Sequence, residues 1–136
     1  MNLIRLVYIS SATPPMSDEA LAALVEQART FNVEHGLTGM LIYAEGNFLQ
    51  VLEGDAREVD DLFERICRDP SHAHLLCLER APITRREFSD WSMGFRNLSG
   101  VECEDLPDWL TGIPGKGLPP AREGMALLQH YGQGEG

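Results

Sequence analysis

Apolar residues along the chain follow two alternating periods, one typical of strands and one typical of helices. The strand pattern covers Leu3–Ser11, Thr38–Ala44, Asn47–Glu53 and Leu75–Ala81, and a shorter run lies around Ser92–Arg96. Between them lie two segments whose apolar residues recur at spacings of three and four, as on one face of a helix. The order βαββαβ(β) predicts an α+β, ferredoxin-like fold.

The two predicted helices have recognisable starts. The first begins after Ser17, a good N-cap, and stops near Gly36, a residue type that often follows a helix. The second begins at Asp55 with a capping-box-like sequence. Glu45-Gly46 predicts a short hairpin between the second and third strands. The apolar faces of the helices contain Leu21, Leu24, Val25, Ala28, Val59, Leu62, Phe63 and Ile66.

This fold places both helices on one face of a mixed sheet, with the first and third strands adjacent at its centre. The third strand is apolar on both faces, so the opposite face of the sheet also needs a cover. Asp105–Leu110 and Ala121–His130 have helical patterns and are expected to supply a C-terminal helical segment there. We therefore expect a domain at residues 1–100 and a helical cap with a frayed tail at residues 101–136. The expected contacts are Leu110, Leu127 and Leu128.

The composition is that of an ordinary globular domain of 136 residues, with 43% hydrophobic and 24% charged residues. The longest apolar runs are too short for a membrane span, and the N-terminus lacks a signal-peptide pattern, so we expect a cytoplasmic protein. The net charge of −10, with Lys116 as the single lysine, argues against a nucleic-acid partner, which requires clustered basic residues.

Three groups of reactive residues have an ordinary structural explanation. The cysteines are odd in number and lack a C-x-x-C pair, so we expect free thiols, with Cys67 and Cys77 in the core. His72 and His74 form an H-x-H pair without further ligands at suitable spacing, so no metal site is expected. Carboxylates around the start of the second helix, Glu53 among them, are expected on a solvated face rather than in catalysis.

A glutamine interrupts the apolar third strand. Gln50 shares a strand face with Phe48 and Leu52, so its amide is expected in a dry interior. Leaving that amide unpaired would cost about 1–3 kcal/mol, so a polar partner is required. If the first and third strands pair, the phenol of Tyr8 can approach Gln50 from the helix side of the sheet.

Further polar and aromatic residues extend this pattern. Asn32 lies near the end of the first helix, and Trp91 and Met93 are two apart near the fifth strand, so they share a face. A phenol, two carboxamides, an indole and a thioether suit hydrogen bonding and stacking around a planar heteroaromatic ligand. Each residue alone is also common in cores or at helix ends. The residues by themselves therefore indicate a polar-lined cleft.

Five motifs follow one another along roughly residues 3–97. They are Arg5-Leu-Val-Tyr8-Ile-Ser10, Asn32-x-x-x-Gly36-Leu-Thr-Gly39-Met-Leu-Ile-Tyr43, Gly46-Asn-Phe-Leu-Gln50-Val-Leu-Glu-Gly54, Arg65-Ile66-Cys-Arg-Asp69-Pro70-x-His72 and Phe88-x-x-Trp91-Ser-Met93-Gly-Phe95. Together they resemble the BLUF domains, blue-light sensors that bind flavin, usually FAD, non-covalently.

The resemblance implies roles for individual residues. An isoalloxazine ring would lie between the two helices, flanked by Leu24 and Ile66. Asn32 would hydrogen-bond the polar edge of the ring, and Gln50 would bridge Tyr8 and the flavin N5/O4 edge.

At the flavin periphery, the resemblance implies that Arg65 and His72 contact the pyrimidine or ribityl side. Two positions depart from the family pattern there. Phe31 stands where many members have a polar residue, and Ser71 replaces a common arginine.

The implied function is that of a blue-light photoreceptor, not an enzyme. The buried amide of Gln50 could exchange its hydrogen-bond partners by rotation or tautomerisation, and Trp91 and Met93 would relay the change. FAD is the expected cofactor, with FMN and riboflavin as alternatives. Since no effector domain is apparent on the chain, output is expected through an unidentified partner protein or a homo-oligomer.

Two other functions stay open. A flavin-dependent oxidoreductase is the enzymatic alternative, although the chain lacks a glycine-rich dinucleotide fingerprint. A ligand-free, ferredoxin-like interaction module is the third candidate, because this fold has many functions. Steady-state flavin reduction by NADH or NADPH would favour the enzyme, and a yellow purified protein would exclude the ligand-free module.

Overall fold

The computed structural model describes residues 2–12, 16–70, 72–89, 92–98 and 121–132. No helix within these ranges is long and apolar enough to cross a membrane. The predicted segment Asp105–Leu110 lies outside the described residues.

The elements are β1 Leu3–Ala12, α1 Asp18–His35, β2 Thr38–Ala44, β3 Asn47–Asp55, α2 Ala56–Arg68, β4 His72–Pro82, β5 Gly94–Asn97 and α3 Ala121–Gly132.

The strands form a five-stranded sheet in the order β4-β1-β3-β2-β5. β1 and β3 pair antiparallel at its centre, and β5 pairs parallel with β2, so the sheet is mixed. The ferredoxin-like fold and the central pairing of the first and third strands are therefore confirmed. The register places Tyr8 directly opposite Gln50.

The two helix starts differ in how their backbone N–H groups are satisfied. Ser17 caps α1 as predicted, because its hydroxyl accepts a hydrogen bond from Ala20 N at 3.1 Å. The predicted capping box at Asp55 is wrong, since Asp55 makes no side-chain cap bond to α2. Instead the N–H of Ala56 donates to the carbonyl of Asn2 at 2.7 Å. The start of β1 thus supplies the acceptor that a cap would have provided.

Both faces of the sheet are covered, as the two apolar faces of β3 predicted. Phe48 and Leu52 belong to the core cluster on the side of α1 and α2. Leu49 and Val51 pack in a second cluster that includes Leu128 of α3. Other α3 contributors to this second cluster are Met125 and Leu127. Leu110 lies outside the described residues.

Glu53 is fully buried, so its expected place on a solvated face is wrong. Its Oε1 accepts from Thr38 Oγ1 at 2.9 Å and from the N–H of Phe88 at 3.0 Å. Its Oε2 accepts from the N–H of Glu87 at 2.7 Å. A buried carboxylate requires such donors. Glu53 therefore holds the connection between β4 and β5 against β3.

Cys67 and Cys77 are exposed free thiols, which corrects their expected place in the core. Cys67 follows Ile66, at the margin of the apolar face of α2, near the end of that helix. Cys77 lies on β4, which is at the edge of the sheet and, among the described strands, pairs with β1 alone. Edge strands leave more of their side chains uncovered than central ones do.

Candidate functional site

A cavity of about 270 Å³ lies between α1, α2 and the central strands. The residues predicted from the sequence to hold a ligand all line it, and Met93 does so too. Trp91 lies outside the described residues. The lining consists of Tyr8, Leu24, Gln27, Ala28, Phe31, Asn32, Leu41, Phe48, Gln50, Leu62, Arg65, Ile66, Asp69, His72 and Met93.

The apolar face of α1 is divided between the core and the cavity. Leu21 and Val25 are buried in the helix-side core. Leu24 and Ala28 are half-buried and line the cavity. The helical spacing that predicted a core face therefore also forms an apolar wall for a ligand.

The centre of the site is a hydrogen-bonded chain of three buried side chains. The Tyr8 hydroxyl donates to Gln50 Oε1. The Nε2 of Gln50 donates to the Sδ of Met93 at 3.6 Å, on the other side of the amide. The amide is therefore engaged through its acceptor and through one donor, and a rotation would exchange these contacts.

The phenol of Tyr8 is a hydrogen-bond donor at neutral pH. Burial raises the pKa of Tyr8 well above its ordinary value, and a smaller coulombic contribution from Cys67 adds to that rise. The ring is fixed by tilted packing against Phe63, with ring centroids 5.4 Å apart. Tyr8 thus presents a protonated hydroxyl in a defined position to Gln50.

Asn32 lies on the last turn of α1 and is 1% exposed. Its Nδ2 donates to the carbonyl of Ser92 at 2.5 Å. Its Oδ1 is buried and has no hydrogen-bond partner in the described part of the chain. Since an unpaired buried acceptor costs about 1–3 kcal/mol, this oxygen fits a ligand that carries an N–H donor. The imide of a flavin ring is such a donor.

His72 and His74 have different environments, so they do not form a pair. The Nδ1 of His72 lies 3.1 Å from Ser10 Oγ, and the imidazole packs near Phe48. Burial lowers the pKa of His72, and Asp69 opposes this shift, so the ring at the cavity is neutral near pH 7. His74 is exposed. No group of three or more metal-ligating side chains occurs among the described residues.

Phe31, one of the departures from the family pattern, joins the two helices at the cavity. The Cζ of Arg65 lies 4.9 Å from the centroid of the Phe31 ring. Phe31 also stacks on His35, with centroids 4.0 Å apart. The Nδ1 of His35 lies 2.8 Å from Oε2 of Glu58 on α2. An apolar residue at position 31 therefore has partners on both helices.

Several lining residues were not predicted as site residues, although their spacing offered a signal. On α1 the missed residues recur three or four positions from Leu24 and Phe31, on the same helix face. On the strands they are two positions from Gln50 or directly opposite it. They are Gln27, Ala28, Leu41, Phe48, Leu62 and Asp69.

Comparison with known proteins identifies a family. The family BLUF, described as sensors of blue light using FAD, matches residues 3–94. The photoactivated adenylate cyclase subunit beta of Euglena gracilis is 38% identical over 102 residues, which are 74% of this chain and 12% of that protein. BlrB, a BLUF protein in its dark state, superposes with a TM-score of 0.76 at 30% identity, over 98% of this chain and 97% of its own. The photo-activated state of BlsA gives a TM-score of 0.76 at 26% identity, over 95% and 93% of the two chains.

The family match distinguishes among the three functions that the sequence left open. The BLUF unit is a sensor module that uses flavin and is not a catalytic one. The chain spans about an eighth of the length of the cyclase subunit, so the cyclase activity in that name belongs to the larger protein. The chain therefore belongs to the BLUF family of blue-light sensors, and its chromophore is a flavin.

Proposed function

We propose that blue light switches the hydrogen bonds made by Gln50. The observation that carries this proposal is the buried amide itself, which accepts from Tyr8 and donates to Met93 at the cavity wall. A bound flavin would absorb blue light, and its excited state would be a strong oxidant. Tyr8 would give up an electron to the excited flavin and pass its phenol proton toward Gln50 Oε1, and both would return to Tyr8 as the amide changes partners, so that no net oxidation remains. Rotation or tautomerisation of the amide then exchanges its partners, giving a second arrangement of similar energy.

Leu24 and Ile66, one from each helix, would hold the two faces of the flavin ring. The unpaired Oδ1 of Asn32 would accept from the ring N–H, which satisfies a buried acceptor. Arg65 and His72 would contact the periphery, Arg65 as a cation and His72 as a neutral ring. These assignments rest on the positions of the side chains around one cavity.

We infer that the flavin is FAD, with FMN and riboflavin as the other outcomes of the test. The description of the matched family supports FAD. The exposed guanidinium of Arg65 at the cavity supports a ligand that carries phosphate.

An absorption spectrum before and after blue illumination tests the function. We expect a yellow protein whose oxidised flavin bands shift to the red in blue light and return in darkness. Chromatography of the flavin released by denaturation is expected to give FAD, whereas FMN or riboflavin would correct the cofactor. A colourless protein that cannot be reconstituted with any of the three would refute the proposal. Steady-state reduction by NADH or NADPH would favour the oxidoreductase.

We also propose that residues 101–136 act as a cap through which the light-sensing domain at residues 1–100 signals to a partner protein or within a homo-oligomer. α3 supports this role, because Met125 and Leu128 are buried against the face of β3 opposite Gln50. The exposed free thiols of Cys67 and Cys77 support a reducing compartment, the cytoplasm.

Hydrogen exchange in darkness and in blue light tests this route. We expect exchange to change in residues 92–98 and 121–132, because Met93 contacts Gln50 and α3 covers the opposite face of the same strand. α1 and α2, where exchange is expected to stay unchanged, serve as the internal reference. Changes confined to α1 and α2 would show that the signal leaves by the flavin side instead.

A further inference from the structure

α1 presents two side chains, three residues apart, to the backbone that leads into β5. Asn32 Nδ2 donates to the carbonyl of Ser92 at 2.5 Å, and Arg29 Nε donates to the carbonyl of Met93 at 3.0 Å. Residues three apart on a helix lie on the same side. α1 therefore hydrogen-bonds the consecutive carbonyls of Ser92 and Met93 and holds the backbone at the point where the Met93 side chain reaches the cavity.

The place of the Met93 thioether depends on this backbone. Its Sδ is the acceptor for Gln50 Nε2 at 3.6 Å. The Met93 side chain is buried in the helix-side core, so its sulfur is positioned by that packing together with the backbone that carries it. In the proposed function Asn32 also has a role at the ligand, because its Oδ1 would accept from the ring N–H. Arg29 is not one of the described residues that line the cavity. Its contact with Met93 therefore cannot be explained by a role in holding the ligand.

We propose that Arg29 is a positioning residue of the photocycle, which holds the Met93 carbonyl and thereby keeps the thioether at the Gln50 amide in the dark state. The inference rests on the proposed light switch at Gln50. The bond from a guanidinium is charge-assisted, and its contact is part-buried, although the Arg29 side chain itself is 47% exposed. Arg29 acts on Gln50 only through Met93.

Arg29→Met tests this role, because it keeps an unbranched apolar stem and removes the donors. Losing the bond destabilises the dark-state position of Met93 and the transition state that leads back to it. Thermal recovery after illumination is therefore expected to slow by about two- to tenfold. The measurement is the decay of the red-shifted absorption at equal flavin content. Glu26→Gln is the matched control, since it removes the ion pair that Arg29 Nη1 makes with Glu26 Oε2 at 3.8 Å and leaves the Nε bond in place.

A double-mutant cycle with Met93→Ala separates positioning from a general effect on the fold. Alanine retains the carbonyl that Arg29 binds and lacks the thioether. Arg29→Met is therefore expected to change recovery in the parent and not in the Met93→Ala background. Unchanged recovery in Arg29→Met, or an equal fold-change in both backgrounds, would overturn the inference. A parent protein without any light-induced shift would instead refute the proposed function on which it rests.

Discussion

Replacing Gln50 by leucine is expected to leave flavin bound and to abolish the reversible red shift. The amide is the group that contacts both Tyr8 and Met93, and leucine has no donor or acceptor to exchange between them. Leucine is close in size to glutamine, so the cavity wall should persist. The Tyr8 hydroxyl loses its acceptor, which lowers the free energy of unfolding by about 1–3 kcal/mol. Absorption difference spectra and a denaturant titration measure the two effects.

Gln27→Leu makes the same chemical change on another wall of the cavity. Gln27 lies on α1 and is exposed, whereas Gln50 lies on β3 and is buried. The variant is therefore expected to keep the red shift even where it weakens flavin binding. A normal shift in Gln50→Leu would refute the proposed switch, and loss of the shift in both variants would indicate an effect of cavity polarity.

The fold was predictable because each element shows its own apolar period. β3 is the clearest case, since its two apolar faces required a cover on each side, and α3 supplies the second one. The approach of Tyr8 to Gln50 was expected from the pairing of the first and third strands, and the observed antiparallel register places the two residues opposite one another. Gln50, a buried carboxamide between apolar neighbours on one face of β3, then marked the site.

The buried position of Glu53 and the contact of Arg29 with Met93 were not predictable from the sequence. Their main partners include backbone groups distant in the chain, the N–H groups of Glu87 and Phe88 and the carbonyl of Met93. Every residue except proline has those groups, so no side-chain pattern marks them. A carboxylate beside a helix start and a charged residue on a helix also have ordinary surface explanations.

Apolar periodicity also cannot separate a core wall from a cavity wall. Leu21 and Leu24 both fit the apolar face of α1, yet Leu21 is buried and Leu24 lines the cavity. Cys77 shows the same limit on a strand, because its exposure depends on the position of β4 at the sheet edge. Which neighbour an apolar residue faces is a property of the assembled layers.

Tyr8→Phe is expected to give a bound, strongly fluorescent flavin whose photocycle is lost or severely impaired. The substitution keeps the ring that packs against Phe63 and removes the hydroxyl that donates to Gln50. Without the phenol the excited flavin loses its intended electron donor, so its emission lasts longer. The lost hydrogen bond lowers the free energy of unfolding by about 0.5–1.5 kcal/mol. Time-resolved fluorescence and the light-minus-dark absorption spectrum provide the measurements.

Tyr43→Phe is the matched control, because Tyr43 is also buried and also has a hydroxyl with one identified partner. Its oxygen accepts from the N–H of Met16 at 2.9 Å, and its ring packs against Phe48 beside the cavity. Removing this hydroxyl costs a similar amount of stability but leaves Tyr8 in place, so fast quenching and the red shift are expected to remain. Flavin decay as rapid in Tyr8→Phe as in the parent would show that another donor quenches the flavin. Equal loss of the photocycle in both variants would show that the switch depends on core packing rather than on the Tyr8 hydroxyl.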